Sequence, residues 1–397
     1  MRLNIFKFFV FIGLIGLSFS YPQLYSLRGV FDTATNVTGG ILKKVPKYIP
    51  SVSEVWTLGK DVIAGYPFEI ASELINKVCS GVNAIEAVQS QVTPDVNSMT
   101  LRLITECQNY TFPILKASEM WKSPHFDPSK KVVVIISGWT NTINESSTIY
   151  EIGKAYLCRG GVNVVALDAG QYVNTLYTWS ALNVDEIGKI LASGLVELEK
   201  VVPLENIHLI GHSLGANIAG YAGKYFTSTT DRLLPRITAL DPARPCFNEG
   251  EKLSGIERGD AEFIDVIHSN SGVLGKRVPV GDVDFYPGGT GPLRKGCFSI
   301  VCSHSRAFEY YAETVYPGYE NNLMAVRCNS LANLKRGFCT GRPHTMGYGV
   351  STKLKGSYFS DPDGVFPFGL PDNHEKPDVT QCGLCHSEEA KKPLVKF

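Results

Sequence analysis

Ser213 stands between two glycines, at the point where an apolar run gives way to a run of small residues. In the segment HLIGHSLGANIAG (208–220), the residues before it predict a buried strand, and those after it have the spacing of a tightly packed helix. So sharp a turn leaves no room for Cβ atoms, which Gly211 and Gly215 lack. We therefore expect Ser213 at a helix N-terminus, where the helix dipole favours a negatively charged attacking oxygen. The pattern also arises by chance in a chain with 38 glycines, so a nucleophile would need an acid and a base nearby.

Strand-like and helix-like segments alternate from about residue 98. Short, β-branched apolar runs predict strands at KKVVVIISGW (130–139), GGVNVVALDAG (160–170), ENIHLIGHS (205–213) and LPRITALDPA (234–243). Between two of these runs, residues 185–202 have the pattern of an amphipathic helix. Apolar strands separated by helices are typical of an α/β fold, with a mostly parallel central sheet and helices on both faces. Ligands of such sheets collect at the carboxyl ends of the strands.

The two ends of the chain differ from this middle region. Residues 1–20 have a basic start, a short apolar core and small residues before Tyr21, which is the pattern of a cleaved signal peptide. In residues 21–97 the apolar positions have helical spacing and no catalytic motif, so we expect a helical N-terminal extension. Residues 98–357 would form the α/β domain, and the proline-rich segment 358–397 a C-terminal tail held by Cys382 or Cys385.

The composition favours a soluble, exported protein. The chain is 44% hydrophobic and 19% charged with no net charge, so it can bury a large core and has no electrostatic reason to bind nucleic acid. After residue 20 no apolar run reaches about 18 residues, so we expect no transmembrane segment. Glycosylation sequons at Asn36, Asn109 and Asn144 agree with export.

All ten cysteines lie in the part that would be exported. In an oxidising compartment they predict disulfides. The alternative is a zinc site made of Cys382, Cys385 and His386, but no second C-x-x-C pair matches it. We therefore expect disulfides and no metal at these residues.

A catalytic Ser213 needs an imidazole to take its proton and a carboxylate to orient that imidazole. Asp241 is the best acid, because it ends a predicted strand and Pro242 stops the strand there. Two histidines are candidates for the base: His268 closes the apolar run 263–267, and His304 lies on a loop that leads into a predicted helix. The pattern of residues does not choose between them.

Several linked motifs then carry a resemblance to a known family. The segments ISGWTNT, HLIGHSLGANIAGYAG, ITALDPARPCF, DVIHSN, DVDFYPGG and CSHSRAFEYY occur in this order within residues 98–355. Together they resemble the pancreatic lipase family of secreted glycerolipid hydrolases, especially its insect members, which have an α/β-hydrolase fold. The resemblance places the nucleophile at Ser213, the acid at Asp241 and the base at His304, and it leaves His268 a structural role.

The same resemblance implies an oxyanion hole formed by the backbone N–H groups of Leu214 and Trp139. The family usually has histidine where this chain has Ser137, a departure that concerns the loop geometry more than the backbone donor. The resemblance also pairs Cys328 with Cys339, and we expect Cys297 to pair with Cys302. The partners of the other six cysteines do not follow from the sequence.

Two loops that control substrate choice in the family are short here. The lid position between Cys297 and Cys302 holds only FSIV, and the segment SNSGVLGKRVPVGDV after His268 is also abbreviated. A small lid leaves room for a polar headgroup, which favours phospholipase A1-like or broad esterase action over strict triacylglycerol lipolysis. We expect glycerolipid substrates at a membrane or lipid-particle surface. Because only 93 residues follow His304, we expect neither the family's second domain nor the helper protein that docks on it.

Two further expectations depend on the resemblance. Glu251, Glu257 and Asp260 fall near a calcium site of some relatives, but the pattern is incomplete, so no cofactor is required and a solvated acidic loop is the preferred interpretation. Some insect members are yolk storage or binding proteins without the nucleophile. The presence of Ser213, Asp241 and His304 together favours an enzyme over a binding protein of that kind.

Overall fold

The computed structural model describes Asn76 and residues 96–139, 147–169, 177–248, 253–369 and 378–385, all of which belong to one compact unit. The predicted signal peptide 1–20 and nearly all of the predicted helical extension 21–97 lie outside these residues, as do the sequons at Asn36 and Asn144. No helix in the described ranges is both long and apolar enough to cross a membrane.

An eleven-stranded sheet forms the centre of the described part. Its strands are β1 (Thr100–Ile104), β2 (Asn109–Pro113), β3 (Lys131–Ile136), β4 (Val162–Asp168), β5 (Ile207–His212), β6 (Arg236–Leu240), β7 (Ile264–Ile267), β8 (Val283–Pro287), β9 (Met324–Cys328), β10 (His344–Thr345) and β11 (Gly356–Ser360). Their order across the sheet is β10-β9-β11-β8-β7-β6-β5-β3-β4-β1-β2. The strands from β11 to β4 run parallel to one another, whereas β1, β2, β9 and β10 pair antiparallel at the two edges.

Helices cover both faces of this sheet. The helices are α1 (Ala117–Trp121), α2 (Thr148–Arg159), α3 (Tyr177–Leu198), α4 (Leu214–Thr230), α5 (Ile300–Val315) and α6 (Leu331–Arg336). Strand β3 shows how one sequence serves two cores, since its successive side chains point to opposite faces. Val134 packs in the cluster that contains the buried residues of α3 and α4, while Ile135 packs with those of α2 and α5. An apolar run without polar alternation is therefore what a strand buried on both sides requires.

The strand order reverses between β3 and β5. From β3 the chain continues to β4 on one side of the sheet, and β5 then returns to the other side of β3, with Gly211 opposite Ile136. At such a switch point the loops after neighbouring strands diverge and leave a crevice at the carboxyl edge. This mostly parallel, doubly covered sheet confirms the predicted α/β-hydrolase fold.

The four predicted strand segments each contain a strand, and the helix predicted at 185–202 begins earlier, as the 22-residue α3. The predicted boundary between the domain and the tail, at residues 357 and 358, falls inside β11. This strand adds to the sheet beside β8, so the first residues of the predicted tail belong to the sheet.

Disulfides connect distant parts of the described chain. The expected pairs Cys297–Cys302 and Cys328–Cys339 are confirmed. Cys385 bonds to Cys107 and Cys382 to Cys158, so the end of the chain is tied to the body of the fold at two points. Because both cysteines of the single C-x-x-C are in disulfides, neither is available as a zinc ligand.

Candidate active site

Ser213 occupies a strained corner between β5 and α4, as the glycine pattern predicts. Its φ of 58° and ψ of −121° lie outside the regions that side-chain-bearing residues ordinarily adopt. A Cβ on Gly215 would lie 2.1 Å from the carbonyl oxygen of Ile136, and one on Gly211 would lie 2.3 Å from the oxygen of Gly215. The two glycines therefore allow α4 to begin directly against the ends of β3 and β5, with the largely buried serine at the turn between them.

Asp241 follows the last residue of β6, and its side chain is fully buried. Its carboxylate accepts hydrogen bonds from the backbone N–H groups of Ser269 at 2.8 Å and Asn270 at 3.0 Å. It also lies 2.5 Å from Nδ1 of His304. Burial alone would raise the pKa of Asp241, but the hydrogen bond and charge of His304 and the N–H of Asn270 outweigh it and hold the pKa below its ordinary value. The carboxylate is therefore charged at neutral pH.

His304 lies in the second turn of α5, and not on a loop before the helix as expected. The helix begins at Ile300 because the Ser299 hydroxyl accepts the N–H of Cys302 as an N-cap, and the Cys297–Cys302 disulfide joins the helix start to the preceding loop. The sequence signal was present in S-x-x-C, a serine three residues before the cysteine. A helical backbone therefore positions the imidazole.

The side chain of His304 is 11% exposed, and Nδ1 is the ring nitrogen that faces Asp241. Among the described residues no hydrogen bond joins its Nε2 to the Ser213 hydroxyl. Catalytic hydrogen bonds are commonly long in free enzymes and shorten when substrate binds. The structure thus brings the acid and the candidate base into direct contact and leaves the contact of base and nucleophile to be made.

His212 is a site residue that the sequence reasoning missed. This residue precedes Ser213, and its ring lies 4.5 Å from the ring of His304, centroid to centroid. Its Nε2 donates to the backbone carbonyl of His304 at 3.1 Å, while Nδ1 lies 3.2 Å from the hydroxyl of Thr148. Complete burial, followed by the nearby charge of His304, lowers the pKa of His212 to about 3, so the ring is neutral. Its place inside G-x-S-x-G was the available signal.

His268 is placed differently. It is fully buried, its Nδ1 lies 2.8 Å from the carbonyl of Lys276, and its Nε2 lies 2.9 Å from Oδ1 of Asp284. The ring also stacks on Tyr286 with 4.4 Å between centroids. Since both nitrogens already face protein oxygens, this ring has no nitrogen left for a substrate or a serine.

The predicted oxyanion donors come from the two segments that meet at Ser213. Leu214 is the first residue of α4, so its N–H is one of those at the helix N-terminus that have no partner within the helix. Trp139 follows Gly138, where an added Cβ would lie 2.6 Å from Cβ and 3.1 Å from Oγ of Ser213. The backbone before Trp139 therefore passes directly beside the serine hydroxyl.

The acidic loop considered for calcium is partly visible. Glu251 lies outside the described residues, and Glu257 and Asp260 face Lys224, whose Nζ is 2.8 Å and 3.8 Å from their carboxylates. Burial raises the pKa of Asp260 to about 7 despite Lys224. Across the described ranges, no group of three or more His, Cys, Asp and Glu side chains is arranged to hold a metal ion.

The fold is that of the α/β-hydrolases, with a serine at the strand–helix corner and a histidine–aspartate pair on the same edge of the sheet. A family model described as Lipase matches residues 78–359. The chain belongs to this lipase family, consistent with the resemblance seen in its motifs.

Individual relatives give a more detailed comparison. The chain is 36% identical over 208 residues to Vitellogenin-3 of Drosophila melanogaster, a match covering 52% of this chain and 50% of the relative. It is 33% identical over 257 residues to the lipoprotein lipase of Neovison vison, covering 57% and 53%. Each match thus spans about half the length of the curated relative. A thermophilic esterase structure from Thermogutta terrifontis is 12% identical, with a TM-score of 0.26 over 45% of this chain and 72% of that chain.

Proposed function

We propose that this protein is a secreted serine hydrolase that cleaves carboxylic esters of glycerolipids through an acyl-enzyme. The observation that carries the proposal is the contact of Asp241 with His304, 2.5 Å apart, on the sheet edge that also holds the strained Ser213. A buried carboxylate on Nδ1 fixes the tautomer whose Nε2 accepts a proton, as a general base for serine requires. Disulfides in the fold and the lipase family assignment support export and ester chemistry.

The proposed reaction assigns one role to each group. Ser213 Oγ attacks the ester carbonyl while His304 takes its proton, and His304 later returns that proton to the leaving alcohol. Asp241 holds the imidazole and stabilises its charged form. The N–H groups of Leu214 and Trp139 stabilise the oxyanion, and losing one such donor typically costs about 10²-fold or more in rate. Water then releases the fatty acid from Ser213.

Phospholipids are the preferred substrate class, with phospholipase A1-like or broad esterase action. The disulfide loop Cys297–Cys302 spans only five positions and leaves Phe298 entirely exposed, so little chain is available to close over a headgroup. Triacylglycerol remains the alternative substrate. We expect the lipid to be met at a membrane or lipid-particle surface.

A second candidate is a binding or storage protein that does not hydrolyse lipid. The Vitellogenin relatives match at up to 36% identity, and no hydrogen bond joins Ser213 to His304 in the described structure. The intact set of Ser213, Asp241 and His304 favours the enzyme.

Purified protein and its Ser213→Ala variant, assayed side by side on phosphatidylcholine and triacylglycerol with positional analysis of the products, test the proposal. We expect the wild-type protein to release the sn-1 fatty acid of phosphatidylcholine faster than it releases fatty acid from triacylglycerol. The Ser213→Ala variant should release no fatty acid from either substrate. Equal turnover by the two proteins would remove Ser213 from the mechanism. Binding of lipid without turnover by either protein would favour the storage function.

A further inference from the structure

A groove with a strongly positive lining lies at the carboxyl edge of the sheet, beside the candidate site but separate from it. The groove has a volume of about 760 Å³ and is walled by the segment after β8, by the end of α6 and by Phe359. Arg277, Lys335 and Arg336 line it, and no described Asp or Glu does. The groove can therefore hold an anion without a competing carboxylate.

These three cations have no partners within the described part of the chain, where none of them forms an ion pair. The guanidinium of Arg277 lies flat against Gly272, where a Cβ would meet its Nη2 at 2.3 Å. Lys335 and Arg336 also complement the dipole of α6, since they lie in its last turn. That role does not explain Arg277, which comes from a loop some sixty residues earlier and faces the same groove.

Exposed apolar side chains lie next to the groove residues along the chain. Val278 is 56% exposed beside Arg277, Leu293 is 46% exposed beside Pro292, and Phe338 is 68% exposed beside Gly337. A free phosphate or a soluble polyanion would use the charges but not these apolar groups. Cations together with exposed apolar side chains are what a protein uses to sit in the interfacial layer of a membrane.

The groove is directly connected to the candidate site. The side-chain amide of Asn270 donates to the carbonyl of Pro292 in the groove wall at 2.5 Å, while its backbone N–H donates to Asp241. The next residues of the wall lead to Arg294, whose N–H donates to the Ser303 hydroxyl at 3.0 Å, beside His304. A surface held at this groove would consequently lie along the edge of the sheet that carries Ser213.

We propose that the groove of Arg277, Lys335 and Arg336 docks the protein on the surface of anionic phospholipid, with lipid phosphates in the groove and Val278, Leu293 and Phe338 in the interfacial layer. The docking rests on the proposed function only for its purpose, which is to present lipid to Ser213. Binding itself needs no catalysis.

Co-sedimentation with vesicles tests the docking. The probes are vesicles of phosphatidylcholine alone and of equal parts phosphatidylcholine and phosphatidylglycerol. The triple variant Arg277→Gln, Lys335→Gln, Arg336→Gln should bind the anionic vesicles about 100-fold more weakly, at roughly fivefold per cation. The matched control changes three exposed lysines elsewhere, Lys122→Gln, Lys131→Gln and Lys189→Gln, which alters the net charge equally and should leave binding within about twofold.

A second variant separates a membrane from a soluble polyanion. Phe338→Ser should weaken vesicle binding by about tenfold, because the ring no longer enters the interfacial layer, and should leave binding to dextran sulfate unchanged. Equal binding of both vesicle types, or equal loss in the triple variant and the lysine control, would overturn the proposal. An unchanged Phe338→Ser with strong dextran sulfate binding would overturn it in favour of a soluble polyanion. If the triple variant does not fold, binding of the wild-type protein to the anionic vesicles is measured at increasing salt concentration. Weaker binding at high salt would support the proposal, and unchanged binding would overturn it.

Turnover of a water-soluble short-chain ester keeps the two proposals distinguishable. The groove variants should hydrolyse it at the wild-type rate. Anionic-specific binding without any ester hydrolysis would sink the proposed function and leave the docking intact. Ester hydrolysis with no preference for anionic vesicles would overturn the docking and leave the proposed function intact.

Discussion

Two histidine–aspartate pairs lie near the carboxyl edge of the same sheet, and they serve different ends. Asp241 and His304 are 2.5 Å apart, and Asp284 and His268 are 2.9 Å apart. Both carboxylates are fully buried. His268 has both ring nitrogens occupied and is stacked on Tyr286, whereas the Nδ1 of His304 faces Asp241 and its side chain remains 11% exposed. Access to one free ring nitrogen, and not the presence of a carboxylate, is what separates a candidate base from a structural histidine.

Removing the imidazole of His304 gives the largest expected difference between the pairs. We expect His304→Ala to lower kcat on a soluble ester by about 10⁶-fold, because Ser213 then has no base. Steady-state kinetics on protein whose folding has been checked by circular dichroism measures the effect. A residual rate within about tenfold of wild type would mean that another group takes the proton.

The acid of the same pair should matter less than the base. We expect Asp241→Asn to lower kcat by about 10⁴-fold, because the amide no longer fixes the productive tautomer of His304. The pKa of Asp241 is lowered below 3.8, so the charge it contributes is present above that pH and is lost only as pH falls through the folded pKa. The defect should therefore be present throughout the range from about pH 5 to 9. A defect that disappears toward pH 5 would contradict the assignment.

The second pair should contribute to stability and not to turnover. His268→Ala removes the imidazole partner of the buried Asp284 carboxylate, and we expect this to cost about 3–5 kcal/mol of unfolding free energy. The carboxylate then keeps only the backbone N–H groups of Val280 and Gly281. Urea unfolding measures this loss, and kcat of the folded protein should stay within about threefold of wild type. A stable variant with the inactivity of His304→Ala would reverse the roles of the two histidines.

His212 connects the candidate pair to pH. Its pKa falls from 6.5 to about 3 in the folded protein, so the unfolded chain binds a proton that the native state does not. The contribution of His212 to the free energy of unfolding is therefore fully present above pH 6.5 and falls by about 1.4 kcal/mol per pH unit as pH drops toward 3. The substitution His212→Phe removes this titration, so only the wild type loses stability through this residue as pH falls. The difference in unfolding free energy between wild type and variant should therefore be smaller at pH 5 than at pH 7. A gap that stays constant would show that the ring does not titrate as proposed.

Much of the fold could be predicted because its signals are local. The apolar run 131–136 predicts a strand, and the glycines around Ser213 predict a sharp turn, each from only a few neighbouring residues. The base could not be chosen from the pattern, since His268 closes an apolar run, His304 precedes helix-forming residues, and either position suits a base. The two histidines differ in the residues that their ring nitrogens contact. His268 contacts the carbonyl of Lys276 and His304 contacts Asp241, and the sequence around each histidine predicts neither contact.

Other features depend on contacts between residues far apart in the sequence. The disulfides Cys107–Cys385 and Cys158–Cys382 join residues 278 and 224 positions apart, which no local spacing specifies. The role of His212 needed the backbone of α5 to lie over the end of β5. The cationic groove likewise combines Arg277 with the end of α6, and each segment alone looks like ordinary solvated charge.

Covalent capture tests the central claim most directly. A p-nitrophenyl alkylphosphonate places a phosphorus atom where the ester carbonyl would be attacked, and its p-nitrophenolate is released once per serine that reacts. We predict one phosphonyl group per protein, mapped by mass spectrometry to Ser213, with capture abolished in His304→Ala and preserved in His268→Ala. An unmodified protein, or a phosphonyl group on another residue, would contradict the account.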